Sequence, residues 1–330
     1  MARPVTLFTG QFADIPFEDL CKKAKAWGYD GLELASWGDH FDVFRAAKDK
    51  DYCFERRSIL EQNGLNVWAF SVHLAGQLVL DHIDARHDAF VPAELAGKPD
   101  EMRRWATDFV MAAPQAAENL GVDIVTGFTG SSIWHLLFPF PPMREDMIEA
   151  GFQLFAERWN PIFDEFGRHS VKFCLEVHPT EIAYDTFTAE RALAAVGIRP
   201  EFGFNFDPSH LVWQGLDPVK FIYRFPDRIY HVHIKDSDVT IDGDNSVFSS
   251  HLNFGDRRRG WDFRSPGHGM VKFEPIMRAL NRINYQGPLS VEWEDNGMDR
   301  EWGAPDAARF VRQLDFSPSS QAFDAAFSTK

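Results

Sequence analysis

Short apolar runs at 5–9, 31–35, 66–72, 122–127, 171–177, 201–207, 228–235 and 288–294 read as β-strands. Longer helical patterns lie between them, over 17–27, 54–63, 101–120, 146–166, 189–196, 218–225 and 273–283. A last one spans 305–314, with Pro305 expected at the first helical position, where a missing N–H does no harm. Gly28, Gly64, Gly121 and the Gly287-Pro288 pair break the chain ahead of strands two, three, four and eight. Eight strands, each followed by a helix, predict an α/β protein: a (β/α)8 TIM barrel filling residues 1–330 as a single domain.

The strand-to-helix connections are long where they follow strands three, four and seven, at about 74–100, 128–145 and 236–272. In such a barrel these insertions open at the C-terminal face, where barrel enzymes keep their active sites. Trp134, Phe138, Phe140, Phe254, Trp261 and Phe263 lie on them, which suits lids or binding surfaces.

Composition narrows the function further. A chain with 45% hydrophobic and 25% charged residues can bury a large core, and a net charge of −15 makes nucleic acid and anionic lipid poor partners. The most apolar stretch, 133–140, is too short for a bilayer and is broken by Pro139, Pro141 and Pro142. The chain enters a strand pattern at once, leaving no room for a signal peptide, and Cys21, Cys53 and Cys174 lack metal-like spacing. The expectation is a cytoplasmic protein with reduced, packed thiols.

Polar residues gather at the ends of strands five to eight. Side chains alternate along a strand, so Glu176 and His178 share one face, as do His231, His233 and Lys235, and Glu292 and Glu294. Asp207 ends strand six. Carboxylates from three strands and an imidazole from a fourth thus point into the mouth. Such anions would repel one another unless a cation held them. Glu176, Asp207, His233 and Glu292 make a hard site, mostly of oxygen, suited to one divalent ion. Mn²⁺ is the first choice, with Mg²⁺ and Co²⁺ as alternatives and Zn²⁺ less favoured. Any one of these residues alone would read as a surface charge or a satisfied core histidine.

The segments Leu175-Glu176-Val177-His178-Pro179, Phe206-Asp207-Pro208-Ser209-His210, His231-Val232-His233-Ile234-Lys235-Asp236, Pro266-Gly267-His268-Gly269 and Tyr285 to Glu292 resemble successive blocks of the xylose-isomerase-like barrels, the sugar isomerase/epimerase family. The resemblance implies that Glu176, Asp207, His233 and Glu292 bind the metal. It places His210 and Lys235 against substrate, with His178 and His268 lining the mouth. Glu294 is then a supporting carboxylate or a substitute ligand. Glu176 and Glu292 match the two bases of ketose epimerases.

The stretch from Gly127 to His135 departs from a plain epimerase. It resembles the catalytic subunits of bacterial C-glycoside deglycosidases. That likeness implies a lyase on 3-oxo-glycosides working with a small β subunit, and long aromatic loops suit a flavonoid-like aglycone. His135 is the candidate base, since neutral imidazole titrates near working pH. Trp134 and His73 are candidate substrate contacts. Glu33, inward on strand two, is another, with core packing as its alternative. Arg257-Arg258-Arg259 reads as a solvated loop, with an anion or partner contact as the alternative. A sugar isomerase or ketose epimerase is the alternative activity. Apurinic endonucleases share the barrel type but need a basic face, which the charge of −15 argues against.

Overall fold

Every residue of Gly31–Ala35 and Phe202–Phe206 is buried, as in parallel strands covered on both faces. The computed structural model describes residues 2–138, 140–321 and 325–327, so Pro139 lies outside the described residues. The strands are β1 (Val5–Phe8), β2 (Gly31–Ala35), β3 (Asn66–Ser71), β4 (Ile124–Gly127), β5 (Lys172–Glu176), β6 (Phe202–Phe206), β7 (Ile229–Ile234), β8 (Asp236–Val239), β9 (Trp261–Arg264) and β10 (Leu289–Val291). Eight of them close a barrel in the order β1–β10–β7–β6–β5–β4–β3–β2, every pair parallel. β1 meets β10 with Thr6 opposite Ser290, which completes the ring and leaves it no open edge.

Helices cover the barrel through aromatic packing. In the helix Glu145–Arg168, Trp159 lies 4.7 Å from Phe173 of β5, and Phe163 lies 5.1 Å from Phe202 of β6 (ring centroids). Truncating a buried ring such as Trp159 to alanine costs ~3–5 kcal/mol, so this contact fixes the strands that carry the site.

The connections hold more structure than the hydrophobic pattern shows. Within 74–100, the helix His73–Leu78 and the 3-10 turns Ala85–Phe90 and Ala93–Leu95 precede the helix Pro99–Leu120. Within 236–272, β8 and β9 form an antiparallel hairpin. Short helices Val43–Lys48 and Pro208–Val212 also escape the pattern, being under two turns long.

Two expectations are corrected. The last helix runs Arg300–Leu314, capped by the Asp299 carboxylate accepting from Glu301 N, so Pro305 falls inside it and not at its start. The eighth barrel strand stops at Val291, so Glu292 and Glu294 project from the segment beyond it. Cys21, Cys53 and Cys174 are buried and free. Among the described residues, no helix is long and apolar enough to cross a membrane.

Candidate active site

At the C-terminal ends of β5, β6, β7 and β10 the barrel brings Glu176, Asp207, His233 and Glu292 together. One donor atom from each lies within 4.8 Å of all the others, and all four residues are buried. Each owes its place to local backbone. Glu176 is the last residue of β5, and Asp207 caps the helix Pro208–Val212 by accepting from Ser209 N at 2.7 Å. His233 points inward from β7, its Nδ1 2.9 Å from Glu292 Oε2 and 3.2 Å from Glu176 Oε2.

The donor set fits a divalent ion. Asp207 Oδ2 is buried and has no hydrogen-bond partner among the described residues, an open acceptor that a cation would satisfy. Burial and the nearby Glu176 push the Asp207 carboxyl up to about 6, against the pull of His210. Crowded carboxylates of this kind are what a bound cation neutralises.

Around the cluster lie several of the sequence candidates. His210 Nε2 lies 3.0 Å from Glu176 Oε1 and 3.5 Å from Asp207 Oδ2. His73 Nε2 lies 3.2 Å from Glu176 Oε2, and the Ser71 hydroxyl holds its other ring nitrogen. Lys235 Nζ is 3.2 Å from both Glu292 and Glu294, and 4.0 Å from the Phe263 ring centroid. Burial alone would favour a neutral amine, but Glu292 and Glu294 hold Lys235 above its ordinary value, so it stays a cation. His178 packs on His210 at 4.1 Å and on Phe128 at 4.9 Å. Burial, with His210 beside it, holds His178 well below the usual histidine range, so its ring is neutral.

Others do not reach the cluster. His135 is exposed, on the 3-10 turn Trp134–Leu136, with its ring edge against His82 at 4.9 Å. Trp134 sits edge-on to Tyr184 at 5.5 Å and lines a side cavity of about 200 Å³ with Ile133, Met143 and Phe152. His268 is exposed and faces the last helix, its Nε2 2.9 Å from Asp306 Oδ2. Arg257 and Arg258 pair with Asp242 and Asp256, and Arg259 stacks between Phe254 and Trp261. That basic run is spent inside its own loop.

Glu294 stands beside Glu292, and the two share Lys235. Gln11 Nε2 donates to Glu292 Oε1 at 3.0 Å and to Glu294 Oε1 at 2.8 Å, bridging them. Gln11 and Asn205, which donates to Glu176 Oε2 at 3.1 Å, were not singled out by sequence. For Asn205 a signal exists, a polar residue two before Asp207 on a strand; for Gln11 there is none.

Buried acids tie the two loops over this floor. Glu181 Oε2 accepts from Thr129 N and Gly130 N at 2.7 Å each, fixing the start of loop 128–145. Asp236 accepts from the backbone N–H groups of Ser237, Gly267, Gly269 and Val271, folding loop 236–272 back on itself. A Cβ at position 269 would sit 2.3 Å from Asp236 Oδ1, so glycine is required there. Phe138 and Phe248 meet at 5.9 Å, joining the two loops.

Comparison with known proteins agrees with this architecture. Residues 21–314 match the family described as Xylose isomerase-like TIM barrel. The chain is 24% identical over 319 residues to the uncharacterized protein YfiH of Bacillus subtilis (strain 168), covering 92% of this chain and 97% of that one. It is 36% identical over 91 residues to an inosose dehydratase of Clostridium beijerinckii, 28% of this chain and 30% of that one. Among solved structures, the apo form of 3-keto-D-glucoside 4-epimerase, YcjR, from E. coli superposes with a TM-score of 0.66 at 14% identity. That match covers 94% of this chain and 99% of that one.

Proposed function

Because the chain belongs to the Xylose isomerase-like TIM barrel family, we propose that its mouth is the active site of a divalent-metal-dependent enzyme that removes a proton α to a sugar ketone. The activity we assign is that of a lyase on 3-oxo-glycosides. The observation that carries the first step is the convergence of three carboxylates and one imidazole within 4.8 Å, with a buried Lys235 cation beside them. The dehydratase and keto-glucoside epimerase names of two similar proteins support the same chemistry.

Glu176, Asp207, His233 and Glu292 would hold the ion, Mn²⁺ first, with Mg²⁺ or Co²⁺ as alternatives. When bound, the ion supplies Lewis-acid stabilisation of negative charge developing on the ketone oxygen. Lys235, a fixed cation against Glu292 and Phe263, adds to that field in a water-poor site. Both glutamates are already engaged: Glu176 by His73 and Asn205, Glu292 by Gln11 and Lys235. A separate base is therefore needed, and we assign His178, a neutral imidazole packed on His210 at 4.1 Å and not itself paired with either glutamate. It takes the C2 proton, the electron pair forms the C1–C2 double bond, and the C1–aglycone bond breaks. The departing aglycone carries off that bond's electrons and is protonated by the imidazolium. His135, the base expected from sequence, is exposed on a loop and serves here as the control position.

Ketose epimerisation is the second reading, favoured by two glutamates, Glu176 and Glu292, both lying against His233 Nδ1, at 3.2 and 2.9 Å. The lyase reading also carries a small β subunit as partner and a cytoplasmic setting. The test is to incubate the Mn²⁺-loaded protein with a phenolic 3-oxo-glucoside and, separately, with free ketoses. Released phenol and a dehydrated keto sugar support the lyase; epimerised ketose as the sole product replaces it with the second reading.

A further inference from the structure

Beneath the cluster lies a second acid that the reaction does not use. Glu33, inward on β2 and 1% exposed, reaches across the barrel interior. The β2–β3 register shifts between Leu32 and Glu33 at this point. Its Oε1 accepts from Thr126 Oγ1 at 2.6 Å. Its Oε2 accepts from Ser290 Oγ at 2.6 Å and lies 2.8 Å from His231 Nε2 and 2.9 Å from His233 Nε2. Partners from three strands, β4, β7 and β10, thus converge on one carboxylate of a fourth.

Two readings of this group compete. Glu33, His231 and His233 could themselves hold an ion, since their donor atoms lie within 4.8 Å of one another. Yet each distance to Glu33 is that of an ordinary hydrogen bond, and both carboxylate oxygens already have donors. Four partners, the Thr126 and Ser290 hydroxyls and the two imidazoles, already satisfy the carboxylate, which leaves it no open oxygen for a further cation.

We infer that Glu33 is a positioning residue that fixes His233 for metal binding. A carboxylate at Nε2 keeps the proton on that nitrogen and turns the Nδ1 lone pair toward Glu176, Asp207 and Glu292. Ser290 and Thr126 lock Glu33 in turn, so the acceptor that holds the His233 Nε2 side is itself fixed from β10 and β4. The inference rests on the reading that the upper cluster binds the ion.

The experiment has two arms. In calorimetric titration of metal-free protein with Mn²⁺, the parent takes up one ion per chain. Glu33→Leu, which keeps the bulk and removes the acceptor, weakens binding by about 10- to 100-fold. Glu33→Gln retains an oxygen for His233 and recovers most of that loss. In ¹⁵N NMR, the parent shows a slowly exchanging His233 Nε2–H with and without Mg²⁺, and Glu33→Leu loses it. Unchanged affinity in Glu33→Leu, a second ion per chain, or a parent proton resident on Nδ1 alone each overturns the inference. The parent NMR spectrum decides the matter even if Glu33→Leu does not fold. A parent that binds no Mn²⁺ at all but keeps the Nε2–H instead removes the metal-site reading.

Discussion

In the floor of the mouth Glu176, Asp207, His233 and Glu292 are 2, 2, 0 and 6% exposed, whereas on the loop above them Phe138 and Phe140 are 72 and 85% exposed. The floor is made of strand ends whose side chains are held by partners on other strands: Asn205 and His73 on Glu176, Gln11 on Glu292, Glu33 on His233. The loop is tied at its root, by Glu181, and its aromatic tip touches only Phe248 across the way among the ring contacts of the described residues. A site that must hold charged groups to within fractions of an ångström belongs on rigid elements, and a surface that accommodates a bulky aglycone belongs on a loop. Under the proposed lyase activity, chemistry would belong to the floor and selectivity for the aglycone to the roof, and each half of that proposal can be broken separately.

The largest effect should come from the floor. Asp207→Asn or His233→Ala is expected to lose bound metal, read by elemental analysis, and to cut turnover by about 10³-fold or more. Full metal content in both variants would detach the floor from metal binding. Next is the base. His178→Asn should keep its metal and lose about 10²- to 10⁴-fold in turnover, while His135→Ala stays near the parent. The reverse order would move proton transfer from floor to roof, to the base expected from sequence.

That reversal would also say how much was legible in the chain. The eight-strand barrel was readable from its apolar runs, and the meeting of Glu176, Asp207, His233 and Glu292 from their places at strand ends, as in His231-Val232-His233. Glu33 was visible as inward-facing, but its bonds to His231, His233 and Ser290 span 198, 200 and 257 residues and leave no local trace. Gln11 was invisible for the same reason. The β8–β9 hairpin was masked because Asp236-Ser237-Asp238-Val239 is polar, and only pairing with Trp261–Arg264 makes it a strand. Pro305 misled because the cap that starts its helix, Asp299, lies six residues earlier.

A smaller effect should appear in stability against pH, and it concerns the root of the roof. Burial pushes the Glu181 carboxyl up to about 8, from an ordinary 4.5. Between those values the unfolded chain releases this proton and the folded chain retains it. Glu181 therefore lowers stability progressively as pH rises through that window, and no further above it. Glu181→Gln should flatten this part of the Tm–pH curve by a few degrees, with metal affinity unchanged. A parallel loss of metal would show that floor and roof are not independent.

The smallest effect belongs to Trp134→Ala. It should weaken binding of 3-oxo-glycosides with aromatic aglycones several-fold, ~1 kcal/mol, and leave a methyl 3-oxo-glycoside nearly unaffected. Equal losses on both would leave the loop a structural role only.

The central claim, that the floor holds one catalytic ion, is tested most directly by anomalous scattering at the manganese edge from crystals grown with Mn²⁺. The expected result is a single peak among Glu176, Asp207, His233 and Glu292. A peak at Glu33, His231 and His233 instead, or none in the mouth at saturating Mn²⁺, would contradict it.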